Sequence, residues 1–105
     1  MDRKIKFTPT ASEQLASLGN PPSNAALLDQ VRKDIGYLEI DPKHPSLQTH
    51  EFTSLCGANG EKVFEAYAQS NTPGAYRIFW HYGPDELKGK KRIPVITILA
   101  ITRHP

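Results

Sequence analysis

The sequence predicts an α+β fold in which two N-terminal helices pack on an antiparallel sheet made mostly from the C-terminal half. Two stretches before residue 40 place apolar residues at helical spacing. After residue 62 two stretches alternate at strand spacing and a third is apolar on both faces. The links between those strands are too short for parallel crossovers, so they favour a meander.

Taken in order, Ile5 and Phe7 alternate with Lys4, Lys6 and Thr8, the period of a short, half-exposed strand that Pro9 ends by removing a donor. Thr10 with Glu13 has the capping-box pattern, and Ala11, Leu15 and Leu18 form the inner face of the helix that follows. Gly19 is read as its C′ residue, free to take positive φ. Asn20-Pro21-Pro22-Ser23 is a rigid connector, after which Ser23 or Asn24 caps a longer helix. Its stripe is Leu27, Leu28, Val31, Ile35 and Leu38, with Asp29, Arg32, Lys33 and Asp34 on the polar side, and Asp41-Pro42 stops it. Leu47, Phe52 and Leu55 anchor the crossing segment 42–60, which has room for a short strand through Gln48–Leu55.

Val63–Gln69 sets Val63, Glu65, Tyr67 and Gln69 against Phe64, Ala66 and Ala68 on opposite faces. A turn cluster, Ser70–Gly74, leads to Tyr76–Tyr82, with Tyr76, Ile78, Trp80 and Tyr82 on one face and Arg77, Phe79 and His81 on the other. A polar loop, Gly83–Arg92, precedes Ile93–Thr102, which is apolar on both faces and so reads as a central, buried strand. Two helices covering one face of this sheet bury both stripes.

With 105 residues, 38% of them hydrophobic, the chain has the size and composition of one ordinary globular domain. Its only cysteine, Cys56, excludes an internal disulfide and every multi-cysteine zinc cluster, and reads as a small buried apolar residue. The charged N-terminus lacks a signal-peptide core and no apolar run is long enough to span a bilayer, so a cytoplasmic protein with no membrane partner is expected. Residues 1–60 carry a net charge of −1 and residues 61–105 one of +3. Lys88, Lys90, Lys91, Arg92 and Arg103 account for most of that excess. Such a cluster suits a polyanion, and the run Lys88–Arg92 also suits a solvated loop.

Gly-rich phosphate loops, a His-x-x-x-His pair and a nucleophile elbow are all missing. His44 and His50, six apart, find no third ligand by spacing, so no metal is expected. What remains is Arg77 and His81 on one strand face, then Arg103 and His104 after the last strand. Histidine moves protons near neutral pH and arginine neutralises charge on a phosphorane, a pairing suited to phosphodiester chemistry. The competing structural reading pairs Arg77 with Glu65 across the hairpin and leaves His81 as a satisfied sheet residue.

The ordered set of strings resembles the RelE/ParE toxin superfamily of bacterial toxin–antitoxin systems over nearly the whole chain. The carriers are the first strand and helical hairpin ending in Asp41-Pro42, the stretch His44-Pro45-Ser46-Leu47 to Leu55-Cys56-Gly57, Gly74-Ala75-Tyr76-Arg77-Ile78, and the final Thr102-Arg103-His104. The resemblance implies two helices on a curved, mainly antiparallel four-stranded sheet, and a cognate antitoxin that wraps it. It also implies either a ribosome-associated mRNA endonuclease, needing no metal or other cofactor and driving 2′-hydroxyl attack on the adjacent phosphate, or a non-nucleolytic protein that acts by binding, including gyrase inhibition. By position, Arg77 matches the family's strand arginine, and Arg103 and His104 match its terminal basic residues. On the endonuclease reading His81 and His104 share the proton transfers, Arg77 and Arg103 hold the phosphate, Lys88, Lys90, Lys91 and Arg92 bind RNA, and ribosome and mRNA are partners. The segment Tyr67-Ala68-Gln69-Ser70 departs from the family pattern in having no arginine. The oligomeric state is not fixed by any of these features.

Overall fold

The computed structural model describes residues 2–69 and 75–103. The chain runs through strand β1 (Lys4–Phe7), helix α1 (Pro9–Leu18), a short 3-10 turn (Pro22–Asn24), helix α2 (Ala25–Ile40) and a second 3-10 turn (Pro45–Leu47). Strands β2 (His50–Cys56), β3 (Lys62–Tyr67), β4 (Tyr76–Tyr82), β5 (Glu86–Lys88), β6 (Lys91–Ile93) and β7 (Val95–Arg103) follow. The fold is α+β with a mainly antiparallel sheet, but that sheet has five strands in the order β1-β7-β4-β3-β2 rather than four. The extra strand is β2, which pairs with β3 through His50, Glu51 and Cys56. The helices do not open the chain but lie between β1 and β2, and β1 then returns parallel to β7. No helix among the described residues is long and apolar enough to cross a membrane. The expected turn Ser70–Gly74 and His104 lie outside the described residues.

The N-cap of helix α1 lies two residues before the expected one. Thr8 is the N-cap, its Oγ1 accepting from Ala11 N at 3.1 Å, and Pro9 fills the first helical position. A proline there gives up a donor that has no helical partner anyway, so it starts this helix as well as ending the strand. Gly19 closes α1 with right-handed backbone, not positive φ. Leu18 of α1 and Val31 and Leu38 of α2 are buried against Ile78 and Trp80 of β4 and Ile96, Ile98 and Ile101 of β7. Each such side chain removed from water contributes about 1.5–3 kcal/mol.

In the β4–β7 ladder Phe79 pairs with Ala100 and Trp80 with Ile98, so Leu99 is an extra residue in β7. This bulge keeps Ile96, Ile98 and Ile101 all on the helix side. Because β1 ends opposite Ile98, the rest of that edge of β7 needs other partners. Thr8 Oγ1 donates to the Leu99 carbonyl at 2.9 Å, and Gln14 of α1 accepts from Ile101 N at 2.7 Å. Both bonds satisfy backbone groups that would otherwise be buried without a partner.

Two further expectations are corrected. Cys56 is exposed, since β2 is an edge strand with an irregular register. The loop after Tyr82 contains a hairpin, β5 against β6, turning at Gly89 with φ +64°. Lys4 and Lys6 of β1 both pair with Glu86, tying the hairpin down and holding that carboxyl below its usual range, with Lys6 the larger influence.

Asp34 is also not on the polar side. It is fully buried, and Gln30 Nε2 donates to its Oδ1 at 2.9 Å. Desolvation pushes its carboxyl from 3.8 up to about 6, against the bond from Gln30 and the nearby Lys33 charge. The folded state therefore holds this proton more tightly than the unfolded chain does. Stability from Asp34 is full below about pH 4, falls as pH rises towards 6 and stays lower above it. Asp34→Asn, which keeps the bond from Gln30, is expected to add on the order of 2–3 kcal/mol at pH 7.5 and almost nothing at pH 4. Urea unfolding of both proteins at the two pH values checks this; an equal gain at both would place the cause elsewhere.

Candidate functional site

Alternation along β4 sends Ile78 and Trp80 under the helices and Arg77, Phe79 and His81 to the other face, as their shared spacing predicts. No helix among the described residues covers that second face, yet Glu65, Arg77 and His81 on it are 2%, 3% and 4% exposed. Charged groups so removed from water require partners.

The register supplies them at one end of the face. His50 lies directly across from Glu65, and Tyr67 directly across from Arg77. His50 Nε2 pairs with Glu65 Oε1, and its Nδ1 faces the Gln48 carbonyl at 3.3 Å. The His50 ring meets Tyr67 edge-on, with centroids 5.4 Å apart. On the same tyrosine, the Arg77 guanidinium carbon sits 4.0 Å from the ring centroid, while Nη1 donates to the Tyr76 carbonyl at 3.1 Å. A half-exposed imidazole held by a buried carboxylate is oriented for proton transfer. A guanidinium laid flat on an aromatic ring is pre-organised to present its N–H fork to the oxygens of a carboxylate or phosphate.

Beside this network lies a groove of about 330 Å³ lined by Phe52, Leu55, Phe79, Ala100, Thr102 and Arg103. Phe52 of β2 closes over Phe79, ring centroids 5.0 Å apart. Arg103 pairs with Tyr76 across the ladder, its guanidinium carbon 5.3 Å from that ring, and so stands at the groove's rim where the two sheet faces meet.

His81 is elsewhere. Four residues along a strand put it about 13 Å from Arg77 at Cα, with Phe79 between. Its Nδ1 lies 3.0 Å from the Tyr82 carbonyl, and its ring packs on Gly57, where an added Cβ would sit 3.0 Å from Cδ2. Glu61 lies close by; backbone hydrogen bonds in its own turn hold its carboxyl below the usual range, and the charge of His81 adds a smaller pull. Lys88, Lys90, Lys91 and Arg92 lie on the β5–β6 hairpin, which leaves the sheet after Tyr82, at the end opposite Arg77 and Arg103.

Of the expected site residues, Arg77 and Arg103 thus share one end of the sheet, while His81 and the four hairpin cations belong to the other. His50, Glu65 and Tyr67 are functional candidates that sequence reasoning misses as a group. Their signal is the period-two placement of Glu65 and Tyr67 with a histidine in a preceding strand, which needs the β2–β3 register to read. Among the described residues no three His, Cys, Asp or Glu side chains gather to hold a metal ion.

No protein-family model matches the sequence, and no curated protein matches it either. Among solved structures the chain is similar to the YoeB dimer from Staphylococcus aureus, with a TM-score of 0.60 over 100% of both chains and 10% identity. At that identity the likeness shows a shared fold: two helices on a mainly antiparallel sheet of the YoeB type.

Proposed function

We propose that this chain is the toxin component of a toxin–antitoxin system, acting as a metal-independent, ribosome-associated mRNA endonuclease. The observation that carries the reading is the His50–Glu65–Tyr67–Arg77 network beside an open groove. The fold shared with YoeB, a RelE-family toxin, supports the same direction.

In this mechanism Arg77, braced on Tyr67, takes the scissile phosphate and neutralises the charge that builds on it during attack. Arg103 at the rim holds the neighbouring stretch of backbone. His50, oriented by Glu65, performs the proton transfer next to Arg77; His81, about 13 Å away, is less well placed for it. His104, next after Arg103, supplies the second proton transfer. The hairpin cations Lys88, Lys90, Lys91 and Arg92 track RNA phosphates away from the cut. A cognate antitoxin silences the protein by covering the groove.

The deep burial of Arg77 favours a second reading, a non-nucleolytic protein with this fold that works by binding gyrase, an antitoxin or another partner. Induced expression in a bacterial host, with growth followed alongside mapping of mRNA 5′ ends, separates the two. The nuclease reading requires growth arrest with new cuts. His50→Gln, which keeps a donor for the buried Glu65, and Arg77→Lys are expected to stay folded by circular dichroism and to reduce cutting by about 100-fold or more. Arrest without cuts would transfer the reading to binding, and full cutting by both variants would remove the groove as its site.

Replacing Lys88, Lys90, Lys91 and Arg92 by glutamine tests the hairpin. These exposed side chains contribute little to folding. Ribosome affinity is expected to fall, and the slope of its logarithm against log salt to flatten by about 0.7–0.9 for each phosphate that is no longer neutralised. An unchanged slope would make the run a solvated turn.

A further inference from the structure

The helix-covered face holds a second concavity that the endonuclease reading does not use. Past the end of α2, Phe64 of β3 and Trp80 and Tyr82 of β4 form a cluster of rings with centroids 4.9–5.8 Å apart. Trp80 is 1% exposed at its base, and Tyr82 is 40% exposed at its mouth. Pro42, His44 and Pro45, from the segment after α2, form the facing wall, and the space between has a volume of about 420 Å³. That size suits a small planar ligand, and the lining is mainly apolar and aromatic.

The polar groups of the lining are few, and two of them, Lys43 and the Trp80 indole, can only donate. Lys43 is exposed in the lining, and no ion pair engages it among the described residues. Gln48, also in the lining, is held in left-handed backbone, φ 47° and ψ 41°. His44 is fixed in place by stacking on Tyr37, centroids 3.9 Å apart and planes 12° from parallel, and by accepting from Ser46 N at its Nδ1. In the same wall and base, Thr49 Oγ1 and Trp80 Nε1 are buried with no hydrogen-bond partner among the described residues. Buried polar atoms of this kind are rare and call for a partner.

Aromatic walls select a flat π-system, and the ammonium selects an anion attached to it. From this we infer that the cavity binds a nucleotide, its base stacked with Tyr82 and its phosphate at Lys43. In an RNA strand the same base is a single unpaired nucleotide turned into the cavity. Arg3, whose guanidinium carbon lies 5.9 Å from the Tyr82 ring centroid, and the basic hairpin that follows Tyr82 stand at this end of the sheet, where flanking phosphates would run. This inference is independent of cleavage, since the cavity and the His50–Arg77 network are on opposite faces of the sheet.

Trp80 is the only tryptophan in the chain, so its fluorescence reports on this cavity alone. Titration of the whole protein with adenosine 5′-monophosphate is expected to quench it to saturation. Tyr82→Ala should weaken binding about tenfold or more, and Tyr82→Phe, which keeps the ring, should restore it. Lys43→Glu should weaken the monophosphate about threefold or more and leave adenosine unchanged. Absence of saturable quenching at millimolar monophosphate would overturn the proposal. So would equal binding by Tyr82→Ala, or tighter binding of N-acetyl-leucine amide, which would mark a cavity for an apolar peptide side chain.

Discussion

The pairing of β4 with β7 is the constraint on which the rest of the molecule depends. Seven registered pairs and one extra residue, Leu99, decide which side chains face the helices and which do not. With Leu99 bulged out of the alternation, Ile96, Ile98 and Ile101 all point under α1 and α2, and the helices have one continuous apolar surface to cover. The same alternation leaves Arg77, Phe79 and His81 on the face that no helix among the described residues covers. Burial of a guanidinium and a carboxylate there is tolerated because neighbouring strands deliver Tyr67 and His50 at the right register. The open-face network is in this sense a product of the ladder.

The two ends of the sheet differ in chemistry as sharply as its two faces. The end that carries Arg77 and Arg103 combines an oriented imidazole, a braced guanidinium and an apolar groove, the parts needed to hold and polarise a phosphodiester. The end that carries Tyr82 combines an aromatic cavity with a cationic hairpin, the parts needed to anchor a strand without cutting it. The two sites stand at opposite ends of the sheet and on opposite faces of it.

Much of this is legible in local patterns and some of it is not. The stripe Val31–Leu38 and the shared face of Arg77 and His81 follow directly from periods of 3.6 and 2, and both are present. The same period says that Arg77 and His81 are four residues apart on a rigid strand, a distance that residue type alone conceals. Thr8 is hidden as a cap because Pro9 reads equally as the end of a strand. Asp34 falls among charged neighbours in sequence, and only the packing of α2 shows that it is buried. The pairing of His50 with Glu65 depends on a register across the Gly57–Glu61 turn, a non-local fact with no periodic signature. The β5–β6 hairpin is equally hard to read, because strands of three mostly charged residues are too short to show a period and look like loop.

Attack by a ribose 2′-hydroxyl leaves a mark on the product that no binding-only protein can produce. The decisive measurement is therefore made with purified protein, ribosomes and a defined message, comparing an all-ribose strand with one that carries a single 2′-deoxynucleotide on the 5′ side of the mapped cut. If the open-face groove performs the proposed chemistry, the ribose strand yields a 2′,3′-cyclic phosphate and a 5′-hydroxyl end, and the deoxy substitution abolishes that cut. Cleavage that survives the substitution, or no cleavage of the all-ribose message, would contradict it.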